Sequence, residues 1–345
     1  MPRLTRSLVT ALAIGLVASA CGGTAPSATA TSAPSAAAAT PTPQPVKVKA
    51  SYGNITPSNL APLVALDAGI FKKNGLDVDL TLIEGGARSM AALLAGDIQI
   101  ANLGGTEAMS AVAGGADVVV VSLQVPVNPW VFMAPASYKS PADLKGKTIG
   151  IVTKGGSSEV ATLRALARLG VDPKDVIITA IGSVPNLAQA MIAGSAYAGP
   201  AHPPENVILA DAGFKTIVDL AAEKVPSTDN GTLTTRRFID GNRATVQKYV
   251  DSLTEALAKV RKDKAFTLEV LKKYKIVADD QRQLNATYDF YVTSVFPIYP
   301  YPKKELFEAT RAELVKTNPA VANLDVTKVF DESFVKSAED RKLGQ

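Results

Sequence analysis

The sequence predicts an α/β protein of two lobes with a helical C-terminal part. Three observations predict it. From Val46 short β-rich runs alternate with helical patterns, the alternation starts afresh near Trp130, and after about Val225 it gives way to mostly helical sequence. Strand–turn–helix units repeated at this spacing build lobes on parallel sheets. A chain that starts one lobe, completes a second and returns to the first crosses twice, and the crossings form a hinge. The expected boundaries are 46–125 plus 226–345 for lobe 1, 131–221 for lobe 2, and 126–130 and 222–225 for the hinge.

Each element has a local reason. Val46–Tyr52 alternates apolar and polar residues as a half-buried strand does. Thr56-Pro57 fits an N-cap followed by proline at the first helical position, opening a helix to about Ala68. Strands follow at 76–83 and 98–102, separated by a glycine turn and a helix ending at Gly96, and Gly104-Gly105-Thr106 turns into a further helix. The Val-rich run 118–123 reads as a strand buried on both faces. In the second half, strands are expected at 130–134, 148–152, 176–181, 196–199 and 215–220, with helices ending near Gly170, Gly194 and Ala212. The segments 91–101 and 189–199 share one layout, a helix closed by Ala-Gly and then a short strand. Thr232 to Arg237 is expected to return as a strand. Beyond Asp240, Val246, Val250, Leu253, Leu257 and Val260 fall on one helical face.

The N-terminus reads as an export signal over 1–20. Arg3 and Arg6 precede an apolar run from Leu8 to Ala18, and Ala18-Ser19-Ala20 forms a cleavage site directly before Cys21. Cys21 is the only cysteine, which favours a lipidated residue at that spot; plain cleavage after Ala20 is the rival reading. The rest of 21–45 is nearly all Gly, Ala, Ser, Thr and Pro, a composition that cannot bury enough apolar surface to fold. It is expected to be a disordered linker reaching roughly 70 Å when extended. The expected location is therefore the cell envelope, lipid-anchored at the outer face of the cytoplasmic membrane or in the periplasm.

Composition removes several function classes. The net charge of +4 includes Arg3 and Arg6, so the remainder carries +2, too near neutral for a nucleic-acid binder. His202 is the only histidine, which excludes histidine-rich metal sites; no metal and no cofactor are expected. Gly146-Lys147-Thr148 ends like a phosphate loop, but Pro141 stands where that loop requires glycine. What the chain offers is a set of turns feeding helices after strands, at Thr56, Gly86, Thr106, Ser157, Val184-Pro185 and Pro203. In α/β sheets such turns lie at the carboxyl ends of strands, where ligands bind, and each helix start presents unpaired N–H groups. The bland alternative is that they are only turns and caps. The expected contacts are Asn54, Thr56, Gly86, Asn102, Thr106, Trp130, Ser157, Asn186 and His202. Charge in the turns is mixed: Arg88 and Lys154 favour an anion, while Glu84, Glu107, Glu159 and Glu205 do not. First-turn glutamates are expected to face solvent as helix-dipole partners. One pointing inwards would admit an amine or cation.

Three stretches carry a family resemblance. They are Ala68-Gly-Ile-Phe-Lys-Lys-Asn-Gly-Leu-Asp-Val78, Leu94-Ala-Gly-Asp-Ile98 and Asp143-Leu-Lys-Gly-Lys-Thr-Ile-Gly150. With them the chain resembles the nitrate/sulfonate/taurine-type substrate-binding proteins of ABC importers, a group that includes binders of thiamine pyrimidine precursors. The resemblance covers about 46–225. It implies a type II periplasmic-binding-protein fold, a cleft ligand that is a small polar organic molecule or anion (sulfonate, nitrate or pyrimidine-like), no cofactor, and the membrane subunits of an ABC importer as partner to a monomer. The family's enzyme relatives use a histidine and a cysteine-rich segment, and the folded part has no cysteine. Two alternatives stay open: a secreted enzyme of the same fold, which an inward carboxylate pair of raised pKa would support, and a ligand-sensing module for a membrane partner.

Overall fold

The computed structural model describes residues 44–345. The expected signal segment, Cys21 and nearly all of the linker lie outside the described residues. Ten strands form the framework: β1 Val46–Tyr52, β2 Leu76–Leu82, β3 Ile100–Leu103, β4 Val118–Val127, β5 Val131–Pro135, β6 Thr148–Ile151, β7 Ile177–Ala180, β8 Gly199–Ala201, β9 Phe214–Asp219 and β10 Pro226–Thr235. The α-helices between and after them are α1 Leu60–Asp67, α2 Ile70–Lys73, α3 Gly86–Ala95, α4 Gly105–Ala113, α5 Ser157–Arg168, α6 Val184–Ile192, α7 Glu205–Asp211, α8 Arg236–Lys262, α9 Lys264–Lys273, α10 Gln281–Phe290, α11 Lys304–Leu314 and α12 Ser333–Asp340.

The first sheet has the order β2-β1-β3-β10-β4. β1 is parallel to β2 and β3, whereas β10 runs antiparallel to β3 and β4. The second half repeats this plan. β8-β5-β9 and β6-β7 are joined where Gly150 N–H donates to Ala198 O at 3.0 Å, giving the order β7-β6-β8-β5-β9. The expectation of purely parallel lobes is thus corrected. β5 and β10 each enter a lobe from the crossing and run away from the cleft, so they lie antiparallel to strands that run towards it. The similarity of 91–101 and 189–199 is this repeat at sequence level: each spans a helix end, a left-handed glycine (Gly96 φ 83°, Gly194 φ 78°) and the lead into the third strand of its sheet.

Both faces of the first sheet are covered. On one, Leu60, Leu63 and Val64 of α1 pack with Tyr249, Leu253, Leu257 and Val260 of α8; on the other, Met90, Leu93 and Met109 pack with Phe307, Leu314 and Val326. The apolar face expected on α8 is buried along its whole length. Phe132, Leu144, Ile149 and Leu166 form a core in the second half, beside a smaller one around Leu187 and Met191. The two crossings lie side by side: Asn128 N–H donates to Val225 O at 2.8 Å, and Leu220 N–H to Trp130 O at 3.2 Å. Helix α5 reaches across as well. Its Val160 joins the core of α4 and α11, and its Arg164 donates to Pro226 O at 2.6 Å and Ala309 O at 3.0 Å.

Thr56 does not cap α1. A short 3-10 turn, Pro57–Asn59, precedes that helix, and the Thr56 hydroxyl donates to Asn54 Oδ1 at 2.8 Å instead. Among the described residues no helix is long and apolar enough to cross a membrane.

Candidate functional site

The turns at the carboxyl ends of β1, β2, β3, β6, β7 and β8 converge on one cleft between the sheets. The space left inside it is small, about 60 Å³, well below the roughly 300–1,000 Å³ usual for small-molecule sites. The first sheet contributes Gly53, Asn54, Gly86, Glu107 and Asp229, and the second Trp130, Gly156, Ser157, Gly182 and His202. Two carboxylates are therefore in the lining, and among the lining residues there is no lysine or arginine.

Asp229 sits on β10, an inner strand of the first sheet, and is buried. Its Oδ1 accepts the Trp130 indole N–H at 2.9 Å and its Oδ2 the Ser58 hydroxyl at 3.2 Å. Burial pushes its pKa up, against the opposing effect of the Ser157, Trp130 and Ser58 donors. Glu107 stands in the first turn of α4, where its Oε2 accepts from the Thr106 hydroxyl at 2.7 Å. Its side chain keeps some accessible surface, yet protein surrounds it closely enough that desolvation raises its pKa, with Asp229 adding to the rise. Neither carboxylate has a cationic partner among the described residues.

A glycine makes room for Glu107. A Cβ on Gly86 would lie 2.8 Å from Glu107 Oε1 and 2.9 Å from its Cγ. The sequence marks Gly86 as a turn into a helix and an expected ligand contact; the structure shows that it admits a carboxylate. Gly86→Ala is expected to turn the flexible Glu107 side chain away, keeping the fold but weakening ligand binding by roughly tenfold or more. Titration calorimetry alongside a melting curve checks both halves.

An aromatic group closes the cleft opposite the carboxylates. The Trp130 and His202 ring centroids are 4.6 Å apart, and Tyr291 meets His202 edge-on at 6.2 Å. His202 is buried, which lowers its pKa to about 4, so the ring is neutral near pH 7. Its Nδ1 lies 3.0 Å from Pro203 O, a contact that requires the proton on Nδ1. Glu205, one turn on, has Oε2 3.8 Å from that nitrogen and no hydrogen-bond partner for this oxygen among the described residues. Burial raises Glu205 to about 7. The unfolded chain releases this proton near 4.5 and the folded chain only near 7, so Glu205 makes stability decline as pH rises across that window. Glu205→Gln is expected to remove that decline, which chemical denaturation at pH 4.5, 6 and 7.5 measures.

Of the nine expected contacts, Asn54, Thr56, Gly86, Asn102, Trp130, Ser157 and His202 line the cleft. Two do not. Thr106 lies behind the lining and supports Glu107, while Asn186 is exposed on α6, where its N–H is capped by Ser183 at 3.3 Å. Asn102 lines the floor with its amide already engaged: it donates to Ser51 O and Tyr249 and accepts from Thr232. The first-turn glutamates depart from the solvent-facing expectation. Only Glu84 is exposed; Glu159 folds back to accept the Gly155 N–H at 2.7 Å, Glu205 is buried, and Glu107 faces the cleft. Arg88 and Lys154 are both exposed and outside the lining. Sequence reasoning missed Asp229 and Ser58. The only trace of Asp229 was an unusually polar run, Ser227-Thr-Asp-Asn-Gly-Thr232, in a position that returns to a sheet.

Comparison with known proteins agrees with this architecture. YtlA of Bacillus subtilis (strain 168) is 28% identical over 203 residues, 57% of this chain and 61% of that one, so the match spans less than two thirds of its length. The alkanesulfonate-binding protein SsuA from Xanthomonas axonopodis pv. citri, bound to MOPS, superposes with a TM-score of 0.66 at 21% identity, covering 86% of this chain and 99% of that one. The periplasmic nitrate-binding protein NrtA from Synechocystis PCC 6803 gives 0.64 at 12% identity, covering 87% and 90%. These likenesses establish the fold, that of the periplasmic binding proteins with the type II strand order seen in both sheets. The family model described as "NMT1/THI5 like" matches residues 56–264, and the chain belongs to that family.

Proposed function

We propose that this chain is an extracytoplasmic solute-binding protein that captures a small polar organic molecule between its lobes and delivers it to an ABC importer. The observation that carries this reading is the cleft itself, a polar cavity whose walls come from both sheets and whose floor is strand ends. A ligand there touches Asp229 and Glu107 on one side and Trp130, Ser157 and His202 on the other. Only the closed arrangement makes both sets of contacts, so binding draws the population towards closure. The crossings at 126–130 and 222–225 supply the hinge. Lipidation at Cys21 would hold the receptor at the membrane.

One observation favours a second reading, a secreted enzyme of the same fold: Glu107 and Asp229 form an inward carboxylate pair, both with raised pKa. Against it, three of their four oxygens already accept hydrogen bonds from Thr106, Ser58 and Trp130. Native mass spectrometry of the purified chain separates the two. A receptor releases on denaturation a small molecule that stays chemically unchanged after prolonged incubation with fresh protein. A product of altered mass supports the enzyme, and a chain that never carries or takes up a small molecule contradicts both.

A further inference from the structure

The charge of the ligand can be read from the hydrogen bonds of the cleft, given the solute-binding reading above. The indole N–H of Trp130 can only donate, so the Asp229 Oδ1 it meets at 2.9 Å is an acceptor. The Ser58 hydroxyl donates to Oδ2 at 3.2 Å, and that of Thr106 donates to Glu107 Oε2 at 2.7 Å. The indole fixes Asp229 Oδ1 as an acceptor, and Glu107 Oε1 has no side-chain donor among the described residues, so a donating ligand group finds acceptors on both acids. All of these protein donors are neutral. No lysine or arginine lines the cleft, and His202 is held neutral by burial. Two carboxylates enclosed by protein without a counter-charge are costly until a proton or a positive group joins them.

The neighbouring wall fits the same partner. The Trp130 and His202 side chains line the cleft with their rings 4.6 Å apart, and an indole is the best aromatic partner for a cation. An oxyanion would instead meet two like charges in a site of low dielectric. Arg88, the nearest arginine to the β2 turn, is exposed, with its guanidinium 3.7 Å from where a Gly85 Cβ would stand, and it is not among the lining residues. It can meet an approaching ligand but leaves the pair without a partner.

We propose that the cleft takes an organic cation, an ammonium or amidinium, whose positive group sits between Glu107 and Asp229 against Trp130. Sulfonate- or nitrate-like anions are excluded from it. The test is titration calorimetry on the ligand-stripped full chain with a charge series of one shape: benzamidine and benzylamine as cations, benzamide as the neutral analogue, benzoate and benzenesulfonate as anions. Either cation is expected to bind at least about tenfold more tightly than benzamide, with no heat from the anions. Glu107→Gln and Asp229→Asn are each expected to weaken the cation by about tenfold or more, and by clearly more than they weaken benzamide. Melting curves confirm that both variants fold. Binding of benzamide or benzenesulfonate at least as tightly as the cations overturns the cation assignment and leaves the receptor reading standing. Failure of both cations to bind at millimolar concentration also overturns it. The receptor reading fails separately, on the mass spectrometry above.

Discussion

Trp130→Ala is expected to abolish ligand capture and to cost about 3–5 kcal/mol of stability. Trp130 is the chain's only tryptophan and only 4% exposed, and it packs in the core of the second lobe with Phe132, Leu144 and Leu166. Removing its ring leaves a cavity there. It also withdraws the ring face beside His202 and the N–H that orients Asp229 across the cleft. Trp130→Phe separates the two effects. Most of the packing survives, so the stability loss falls to about 1–2 kcal/mol, while Asp229 still loses its indole donor and binding stays weak. Urea denaturation followed by circular dichroism gives the stabilities, and calorimetry the affinities. A Phe variant that binds like the parent would show that the indole N–H has no part in recognition.

Arg164→Ala comes second in size, with an expected loss of about 2–4 kcal/mol. Burial lowers the pKa of this guanidinium, with the nearby Glu313 working the other way. It ties α5 to Pro226 O, where the chain re-enters the first sheet, and to Ala309 O on α11. Alanine leaves both carbonyls without that donor in a closely packed seam. Because Arg164 lies on α5 of the second half and both carbonyls belong to the segment that returns to the first, the variant is also expected to populate a more open form. The exposed pair between Arg282 and Asp211 joins α10 to α7 in a similar way, but in water such a pair is worth little. Arg164→Ala with unchanged stability would remove the seam from the account of closure.

Where an element served the core, the sequence announced it. The Val-rich β4 and the apolar face of α8 carry patterns set by burial against neighbouring elements, and both appeared where periodicity placed them. The repeat over 91–101 and 189–199 was visible because a helix end and a left-handed glycine recur in both halves. β10 was another matter. It starts at Pro226, six residues before the expected return at Thr232, and it buries Ser227, Thr228, Asp229 and Asn230 in a sheet. Apolar alternation cannot reveal a strand whose side chains serve a polar cleft. The same strand holds Asp229, so the strand boundary and the site residue were missed for one reason. Glu107 illustrates a different limit: a first-turn glutamate that steadies a helix dipole and one that faces a ligand read alike along the chain. Only the approach of Gly86 and Gly156 from two other turns shows which it is.

A ligand held between the two lobes draws them closed. Small-angle X-ray scattering of the stripped chain, before and after adding the small molecule that co-purifies with it, tests this most directly. Closure gives a smaller radius of gyration on addition, and no such change is expected in Asp229→Ala, which loses a carboxylate from the first lobe's wall. Saturable binding with an unchanged scattering profile in the parent chain would contradict it.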